Sequence, residues 1–350
     1  MNKRLPRTRE ELRASLRETD LPEDVVSQLV AQAQQALLLT TTDADASEIA
    51  LGESRLGGAP DLPVEKAWPE RPAYPDGALR AARHRQHAAY LLEASQKPGS
   101  WMTQEQGVEF SRNEQLRADA MERPFPLPFF GQFDLAALSK IEGFDAMLPT
   151  EGRLLVFYDS WEFPEGFCPE AALGWRVIWD RSSAASLRRA SIPEALLAVA
   201  GWTTVFKPAP ISATPIVTPI SPDDRNWDAF ELADDDLYDA YDDWLAQFGK
   251  PDKKGGENHQ LGGYPRTLQN GLQSRAQLAA NGVNCGHSDS RDTPEAQALL
   301  QGAGEWRLLL QIGVDQNAGM GGPGAFYVII RDEDLAGRRF ERARVTYQCD

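Results

Sequence analysis

Two apolar runs near the end of the chain decide the fold: Glu305-Trp-Arg-Leu-Leu-Leu-Gln-Ile-Gly-Val-Asp315 and Gly324-Ala-Phe-Tyr-Val-Ile-Ile-Arg-Asp-Glu-Asp-Leu335. Residues 308–312 and 326–330 have the length of a strand and are apolar at every position or nearly so, which is typical of strands buried on both faces. The glycine-rich segment between them can turn but cannot pair. We therefore predict two neighbouring antiparallel strands at the centre of a sheet, with Leu309 and Ile329 buried.

A similar pattern occurs earlier in the chain. Residues 127–138 contain Gln132-Phe-Asp134, which resembles Gln311-Ile-Gly-Val-Asp315, and a later strand-length run begins at Gly152 as the second run above begins at Gly324. Each half thus has a strand that ends in glutamine and aspartate, a connection and a glycine-led apolar strand. This predicts an internal duplication of two β units that pack into one core.

Other segments complete the predicted organisation. Residues 8–38 show two capping patterns followed by helical spacing, which predicts a helical hairpin and an N-terminal unit of residues 1–48. Residues 71–122 are polar and partly helical and are interpreted as an insertion. Residues 174–179 and 202–206 are predicted strands, and the proline-rich residues 208–222 are expected along a sheet edge.

The net charge of −16 limits the classes of partner. Nucleic acids and anionic membranes carry phosphate, so we expect neither as a partner, whereas a basic protein is compatible with this charge. No run approaches the roughly 20 apolar residues of a membrane span. The basic N-terminal residues have no apolar segment behind them, and the three cysteines form no spaced framework, so we expect a cytoplasmic protein.

The most acidic window lies in a segment predicted as an amphipathic helix, residues 221–249. Residues 223–243 hold ten carboxylates and one arginine. Apolar residues at helical spacing should face inward, while the aspartates stay in water because burying unpaired carboxylates is costly. The face is either ordinary solvated surface or a docking surface for a basic partner. The inward set is Leu237, Tyr241, Trp244, Leu245 and Phe248; the outward set is Asp234, Asp235, Asp239, Asp242 and Asp243, of which Asp235, Asp239 and Asp242 are candidate binding residues.

Four polar residues in the glycine-rich motifs are further candidates: His259, Gln269, Gln311 and Asp315. His259 could act as a general base if Asp315 oriented it. The alternative is that these side chains satisfy backbone groups at strand ends and turns.

Cofactor and metal motifs are weak. Gly57-Gly58 is followed by prolines and not by the lysine of a phosphate-binding loop. A helical pair such as His84 and His87 can bind a metal, but no cysteine, aspartate or glutamate nearby in the sequence completes a set of ligands. His259, Cys285 and His287 lie near one another, but Cys-x-His alone is not a recognised zinc spacing. We expect no cofactor and no metal.

Several motifs together resemble the YwqG-like family, a bacterial family of unknown function. They are Ser54-Arg-Leu-Gly-Gly-Ala-Pro60, Phe130-Gly-Gln-Phe-Asp-Leu135, Gly152-Arg-Leu-Leu-Val-Phe-Tyr-Asp159, His259-Gln-Leu-Gly-Gly-Tyr-Pro265, Trp306-Arg-Leu-Leu-Leu-Gln311 and Phe326-Tyr-Val-Ile-Ile330. The resemblance places such a domain at residues 49–350, with the insertion at 71–122 and a longer glycine-rich loop before Phe326 as departures. It carries over no catalytic residue.

The resemblance implies a β-rich, roll-like fold with peripheral helices. Together with the repeated pattern, this predicts an α+β, β-rich class: an antiparallel roll-like sheet core that contains two duplicated β units, with peripheral helices. The resemblance also implies an association with bacterial polymorphic-toxin loci. The first functional hypothesis is therefore a cytoplasmic protein-binding role, as an immunity protein that occludes a basic toxin. The second is an enzyme that acts on a small molecule through His259 and Asp315.

Overall fold

The structure, a computed structural model, describes residues 3–199, 204–227, 235–253, 257–322 and 324–349, with the side chain of residue 235 excepted. Within these ranges the chain forms fourteen β-strands and eleven α-helices. The strands are β1 (Gln34–Thr41), β2 (Arg55–Leu56), β3 (Asp61–Pro63), β4 (Glu70–Arg71), β5 (Phe125–Pro126), β6 (Phe129–Asp134), β7 (Arg153–Tyr158), β8 (Trp175–Asp180), β9 (Leu187–Arg189), β10 (Ala209–Thr218), β11 (His259–Leu261), β12 (Trp306–Ile312), β13 (Gly324–Arg331) and β14 (Arg344–Cys349). The helices are α1 (Arg9–Leu16), α2 (Glu23–Gln32), α3 (Gly77–Ser95), α4 (Gln104–Met121), α5 (Leu135–Leu138), α6 (Glu194–Leu197), α7 (Asp235–Ala246), α8 (Leu272–Ala280), α9 (Ser288–Arg291), α10 (Pro294–Leu299) and α11 (Asp332–Ala336).

Ten of these strands form one antiparallel sheet that is nearly closed into a barrel, in the order β14-β13-β12-β11-β1-β10-β2-β6-β7-β8. Side chains join its two end strands. Trp175 Nε1 on β8 donates a hydrogen bond to the carbonyl of Ala343 at 3.1 Å, and Arg344 on β14 donates to the carbonyl of Cys168 at 2.9 Å. The predicted class, α+β and β-rich with peripheral helices, is confirmed.

The barrel interior is the main core. Phe130, Tyr158 and Phe326 meet there edge to face, with ring centroids 4.7 to 5.5 Å apart. Leu309 and Ile329 are both buried, on adjacent antiparallel strands, as predicted. The expected position at the centre of the sheet is wrong, because β13 and β12 are second and third from one end. Burial on both faces comes from helices and clusters outside the barrel, so it does not require a central strand.

The strand order shows the predicted duplication. Each half contributes five strands to the sheet, in the same order along the chain: β1, β2, β6, β7 and β8 in the first half, and β10, β11, β12, β13 and β14 in the second. The first strand of each half pairs with the second strand of the other half, since β1 pairs with β11 and β10 pairs with β2. The register of strand pairing shifts once in each half: just before Gly131 in the pair β6–β7, and just before Leu310 in the pair β12–β13. The residue after it is Gln132 in one half and Gln311 in the other, and this register also aligns Gly152 with Gly324. It aligns Asp134 with Gly313, so the expected equivalence of Asp134 and Asp315 is wrong: two more residues separate the glutamine from the aspartate in the second half.

The helical prediction for residues 8–38 is wrong at its end. Helices α1 and α2 form, but residues 34–38 belong to β1, which lies in the middle of the sheet. Leu37 and Leu39 face the main core, and Ala36 and Leu38 face a second core formed by α1, α2 and α7. An apolar run that is buried on both faces has no period by which strand and helix can be told apart.

The proline-rich segment is also placed differently from the expectation. Strand β10 lies in the middle of the sheet and not along an edge. It tolerates Pro215 because β2 is only two residues long and pairs only with residues 209 and 210. Beyond them one side of β10 has no sheet partner, and Val217 on that side donates to the carbonyl of Pro6 at 2.8 Å. The prolines therefore indicated an open side of the strand and not the edge of the sheet.

Residues 71–122 form two antiparallel helices, α3 and α4. Arg71, at the start of the segment, forms a fully buried ion pair with Asp159, at 2.6 Å. Of the strand predicted at 202–206, residues 202 and 203 lie outside the described residues, and residues 204–206 are not strand. Across the described ranges, no helix is both long and apolar enough to cross a membrane.

Candidate functional site

The structure brings His259 and Asp315 together. His259 begins β11 and Asp315 follows β12, the strand next to it, and His259 Nε2 lies 2.9 Å from Asp315 Oδ2. The other ring nitrogen, Nδ1, accepts a hydrogen bond from the backbone N–H of Gly313 at 3.2 Å. An acceptor at Nδ1 assigns the proton to Nε2, which donates it to the carboxylate. Both nitrogens of His259 are thus engaged within the fold.

Asp315 fixes the glycine-rich connection to β1. Its Oδ1 accepts from the backbone N–H of Ala318 at 2.6 Å, and its Oδ2 also accepts from the hydroxyl of Thr41. Burial raises the pKa of the Asp315 carboxyl, but the hydrogen bonds from His259, Ala318 and Thr41 together hold that pKa below its ordinary value. Asp315 is therefore an anion at neutral pH, and each of its oxygens has a partner.

A polar cavity of about 230 Å³ adjoins this pair and is lined in part by Thr40, Asn258 and Asn317. Asn317 donates to the backbone carbonyl and the hydroxyl of Thr41, at 3.1 and 3.0 Å. Asn258 donates to two backbone carbonyls. The polar side chains around the cavity are thus directed largely at the protein itself, which is the arrangement of a structural network.

The side chains of Gln311 and Gln269 form no hydrogen bond with His259 or Asp315 in the described structure; they serve the backbone. Gln311 is fully buried and accepts from the backbone N–H of Arg266 at 2.9 Å. Gln269 donates to the carbonyl of Cys349 at 2.6 Å. The sequence does contain a signal for the role of Gln311, namely a turn that occurs in both halves and that Gln311 contacts in the second. The turn is Leu56-Gly-Gly-Ala-Pro60 in the first half and Leu261-Gly-Gly-Tyr-Pro265 in the second, with positive φ at all four glycines.

The histidine and cysteine candidates do not converge on a metal site. Cys285 is buried, and its thiol lies 3.1 Å from the carbonyl of Phe167; burial raises its pKa. His287 is exposed at the start of α9. Among the described residues, no group of three or more histidine, cysteine, aspartate or glutamate side chains is placed to hold a metal ion.

The acidic helix α7 has the predicted orientation. Tyr241, Trp244 and Phe248 are buried in the second core, and Leu237 and Leu245 pack partly buried against it. Two hydrogen bonds fix this side: the Tyr241 hydroxyl donates to the carbonyl of Ile220 at 2.6 Å, and Trp244 Nε1 donates to the Ser15 hydroxyl at 3.0 Å.

The opposite side of α7 is acidic and exposed. It carries Asp236, Asp239, Asp242 and Asp243. The predicted positions of Asp234 and of the Asp235 side chain lie outside the described part of the structure. Asp239, Asp242 and Asp243 form no ion pair with any residue that the structure describes, so these three carboxylates present negative charge on a helix whose other side is fixed in the second core.

A cleft of about 340 Å³ opens beside this acidic side, between α7 and the loop that follows β11. Asp223 and Asp242 line it together with Thr267. Asp223 is half-buried, and the Thr267 hydroxyl donates to it at 3.1 Å. Burial raises the pKa of Asp223, and the nearby charge of Asp242 adds to that effect. We call this space the Asp223 cleft.

Sequence reasoning did not single out Asp223. It lies in the acidic window, where the aspartates were expected in water, but contact with a loop more than forty residues away along the chain partly buries it. No pattern in the local sequence indicates such a contact.

The comparison with family models finds a match over residues 54–349, to a family described as Domain of unknown function (DUF1963). A comparison with curated proteins finds no match.

Proposed function

This chain belongs to the DUF1963 family, and from the exposed acidic side of its α7 helix we propose that it is a protein-binding module for a partner with a basic surface. The observation that carries the proposal is that Asp239, Asp242 and Asp243 are exposed and form no ion pair with a described residue, on a helix whose other side is fixed in a core. A rigid surface loses little conformational freedom when it binds, and fixed charges can steer an oppositely charged partner.

The charge of the whole chain supports the same role. A net charge of −16 gives a long-range field that attracts a basic protein and speeds encounter at low salt. Asp239 and Asp242 are one helical turn apart on the exposed side, which gives the approaching surface a local target.

The finer proposal is that the protein is YwqG-like and acts in the cytoplasm as an immunity protein against a polymorphic toxin. The motif resemblance and the acidic charge support it, since many nuclease toxins are basic. Inhibition would occur by occlusion: the bound acidic surface covers the basic substrate-binding surface of the toxin.

The alternative, an enzyme that uses His259 and Asp315, has less support. The two side chains are within hydrogen-bond distance, but a general base needs a free lone pair, and the one on His259 Nδ1 accepts the Gly313 N–H. Asp315 is equally committed to Thr41 and Ala318.

Co-expression tests the proposed function directly. The product of the reading frame next to this gene is expressed in a bacterial host with and without this chain, and growth and direct binding of the purified proteins are measured. We expect the neighbouring product to arrest growth, this chain to restore it, and the two to form a complex. Growth arrest that this chain does not relieve, with no complex by size-exclusion chromatography, would refute the immunity proposal.

A further inference from the structure

A partly buried arginine, Arg266, lines the Asp223 cleft and forms no ion pair with a carboxylate among the described residues. Arg266 follows the turn after β11; its guanidinium donates to the backbone carbonyl of Glu257, and its buried Nε has no hydrogen-bond acceptor among the described residues. Burial lowers the pKa of Arg266 to about 10, so it remains a cation at neutral pH. Glu257 attracts it through space, but no described carboxylate forms an ion pair with it. Burying a charge without a partner is costly.

The other half of the molecule shows how the same position can be satisfied. Asp61 occupies the place equivalent to Arg266, directly after the proline of the repeated turn. Arg55 pairs with Asp61 at 2.8 Å, and both side chains are fully buried. The equivalent of Arg55 is Gln260, which is neutral and donates to backbone carbonyls. The second half thus keeps a partly buried charge at Arg266, and Gln260 cannot neutralise it.

A carboxylate of the opposite sign lines the same cleft and is also unmatched. Asp223 has the Thr267 hydroxyl as its hydrogen-bond partner and forms no ion pair with any described residue, Arg266 included. Both groups are partly or largely withdrawn from water, so each would gain from a partner of opposite charge. One ligand with both charges would satisfy both groups at once.

Apolar side chains form part of the remaining wall, which also includes Lys250, Thr218, Ser221 and Asn270. Leu5, Leu245, Phe248 and Leu268 all line the cleft. A volume of about 340 Å³ lies at the small end of the range for ligand pockets, which run from roughly 300 to 1,000 Å³. The space therefore suits a small molecule that has two opposite charges and an apolar part.

We propose that the Asp223 cleft binds a free α-amino acid with an apolar side chain. Arg266 receives the α-carboxylate, Asp223 and Asp242 receive the α-ammonium group, and the leucine and phenylalanine side chains contact the apolar side chain of the ligand. The site shares Asp242 with the acidic side of α7, but it uses the interior of the cleft and needs no second protein.

Calorimetric titration of the purified chain with leucine tests the proposal. Two analogues serve as probes of each charge: 4-methylpentanoate lacks the ammonium group, and 3-methylbutylamine lacks the carboxylate. We expect leucine to bind with an affinity in the millimolar range or tighter and each analogue to bind at least about tenfold more weakly, since each leaves one charged group unmatched. No heat of binding up to about 10 mM leucine, or equal affinity for an analogue, would overturn the proposal.

Variants locate the site. Asp223→Asn keeps the shape of the side chain and should weaken leucine binding by about tenfold or more, and Arg266→Gln should do the same. The control Asp43→Asn removes an exposed carboxylate outside the cleft and should leave binding unchanged. If Arg266→Gln does not fold, Thr267→Val removes the hydroxyl that holds Asp223 and should weaken binding as well. Unchanged leucine affinity in a folded Asp223→Asn protein would overturn the assignment.

Discussion

Gln132 and Gln311 make the same pair of backbone contacts in the two halves of the protein. Gln132 accepts from the N–H of Asp61 and donates to the carbonyl of Glu53, at 3.0 and 2.8 Å. Gln311 accepts from the N–H of Arg266 and donates to the carbonyl of Asn258, at 2.9 and 3.3 Å. Each glutamine thus joins its strand to the repeated Leu-Gly-Gly-x-Pro turn. This relationship assigns the glutamines a structural role and gives the duplication an atomic basis.

Removing either amide should destabilise the fold to a similar extent. Gln132→Leu and Gln311→Leu each leave a buried backbone N–H without an acceptor, so we expect a loss of about 1–3 kcal/mol in the free energy of unfolding. Urea denaturation followed by tryptophan fluorescence measures both. A large loss for one variant and none for the other would show that the two positions are not equivalent.

The apolar strands should be sensitive to truncation. Leu309→Ala removes a side chain that is 1% exposed in the main core, and the lost burial together with the cavity should cost about 2–5 kcal/mol. Val108→Ala, on the exposed side of α4, is the matched control and should change the free energy of unfolding by less than about 0.5 kcal/mol. Equal effects of the two changes would contradict the described core.

His84 should make the folded protein less stable as the pH becomes alkaline. Hydrogen bonds that His84 donates to the carboxylates of Glu114 and Glu162 raise the pKa of His84 from 6.5 to about 9. A raised histidine pKa stabilises the fold fully below 6.5, and the contribution is lost as pH rises through about 9. We expect the free energy of unfolding to fall across this window in the natural chain and to fall less in His84→Asn. His287→Asn, at an exposed site, should behave as the natural chain does; a pH profile that His84→Asn leaves unchanged would refute the role of His84.

Asp223 should cost stability when it is ionised. Burial raises the pKa of Asp223 in the folded state. The protonated carboxyl therefore stabilises the fold below the ordinary pKa of aspartate, and this stabilisation is lost as pH rises through the pKa of the folded state. Asp223→Asn should therefore be at least as stable as the natural chain at pH 7, and the advantage should shrink in acid. Chemical denaturation at several pH values measures the difference. A variant that is less stable at neutral pH would show that the Asp223 carboxylate serves the fold and not a ligand.

The sequence predicted those features that depend on local pattern. The strands around Leu309 and Ile329, the duplication and the inward side of α7 follow from apolar runs, repeated motifs and helical spacing, which the structure retains. Residues 34–38 were misread because β1 is buried on both faces and has no period. The prolines of β10 correctly indicated that one side of the strand lacks a sheet partner. They could not indicate that β10 lies in the middle of the sheet.

The sites depend on contacts that are remote along the chain. The closeness of His259 and Asp315 follows from the pairing of β11 and β12, but the hydrogen bond from Gly313 that occupies Nδ1 depends on the exact path of the backbone. The Asp223 cleft combines residues 223, 242 and 266, from three separate segments. Only the repeated turn could have pointed to it, through the comparison of Asp61 with Arg266.

The rate of association with the product of the neighbouring reading frame tests the central claim most directly. The variant Asp235→Lys, Asp239→Lys, Asp242→Lys reverses charge on α7 and leaves its buried side intact; Glu65→Lys, Glu109→Lys, Glu142→Lys makes the same change in net charge at exposed positions elsewhere. Stopped-flow measurements across a salt series compare both with the natural chain. We expect the α7 variant to associate at least about tenfold more slowly at low salt, the control to slow much less, and the difference to shrink as salt screens the charges. Equal rates for the two variants at low salt would contradict a binding role for the acidic helix.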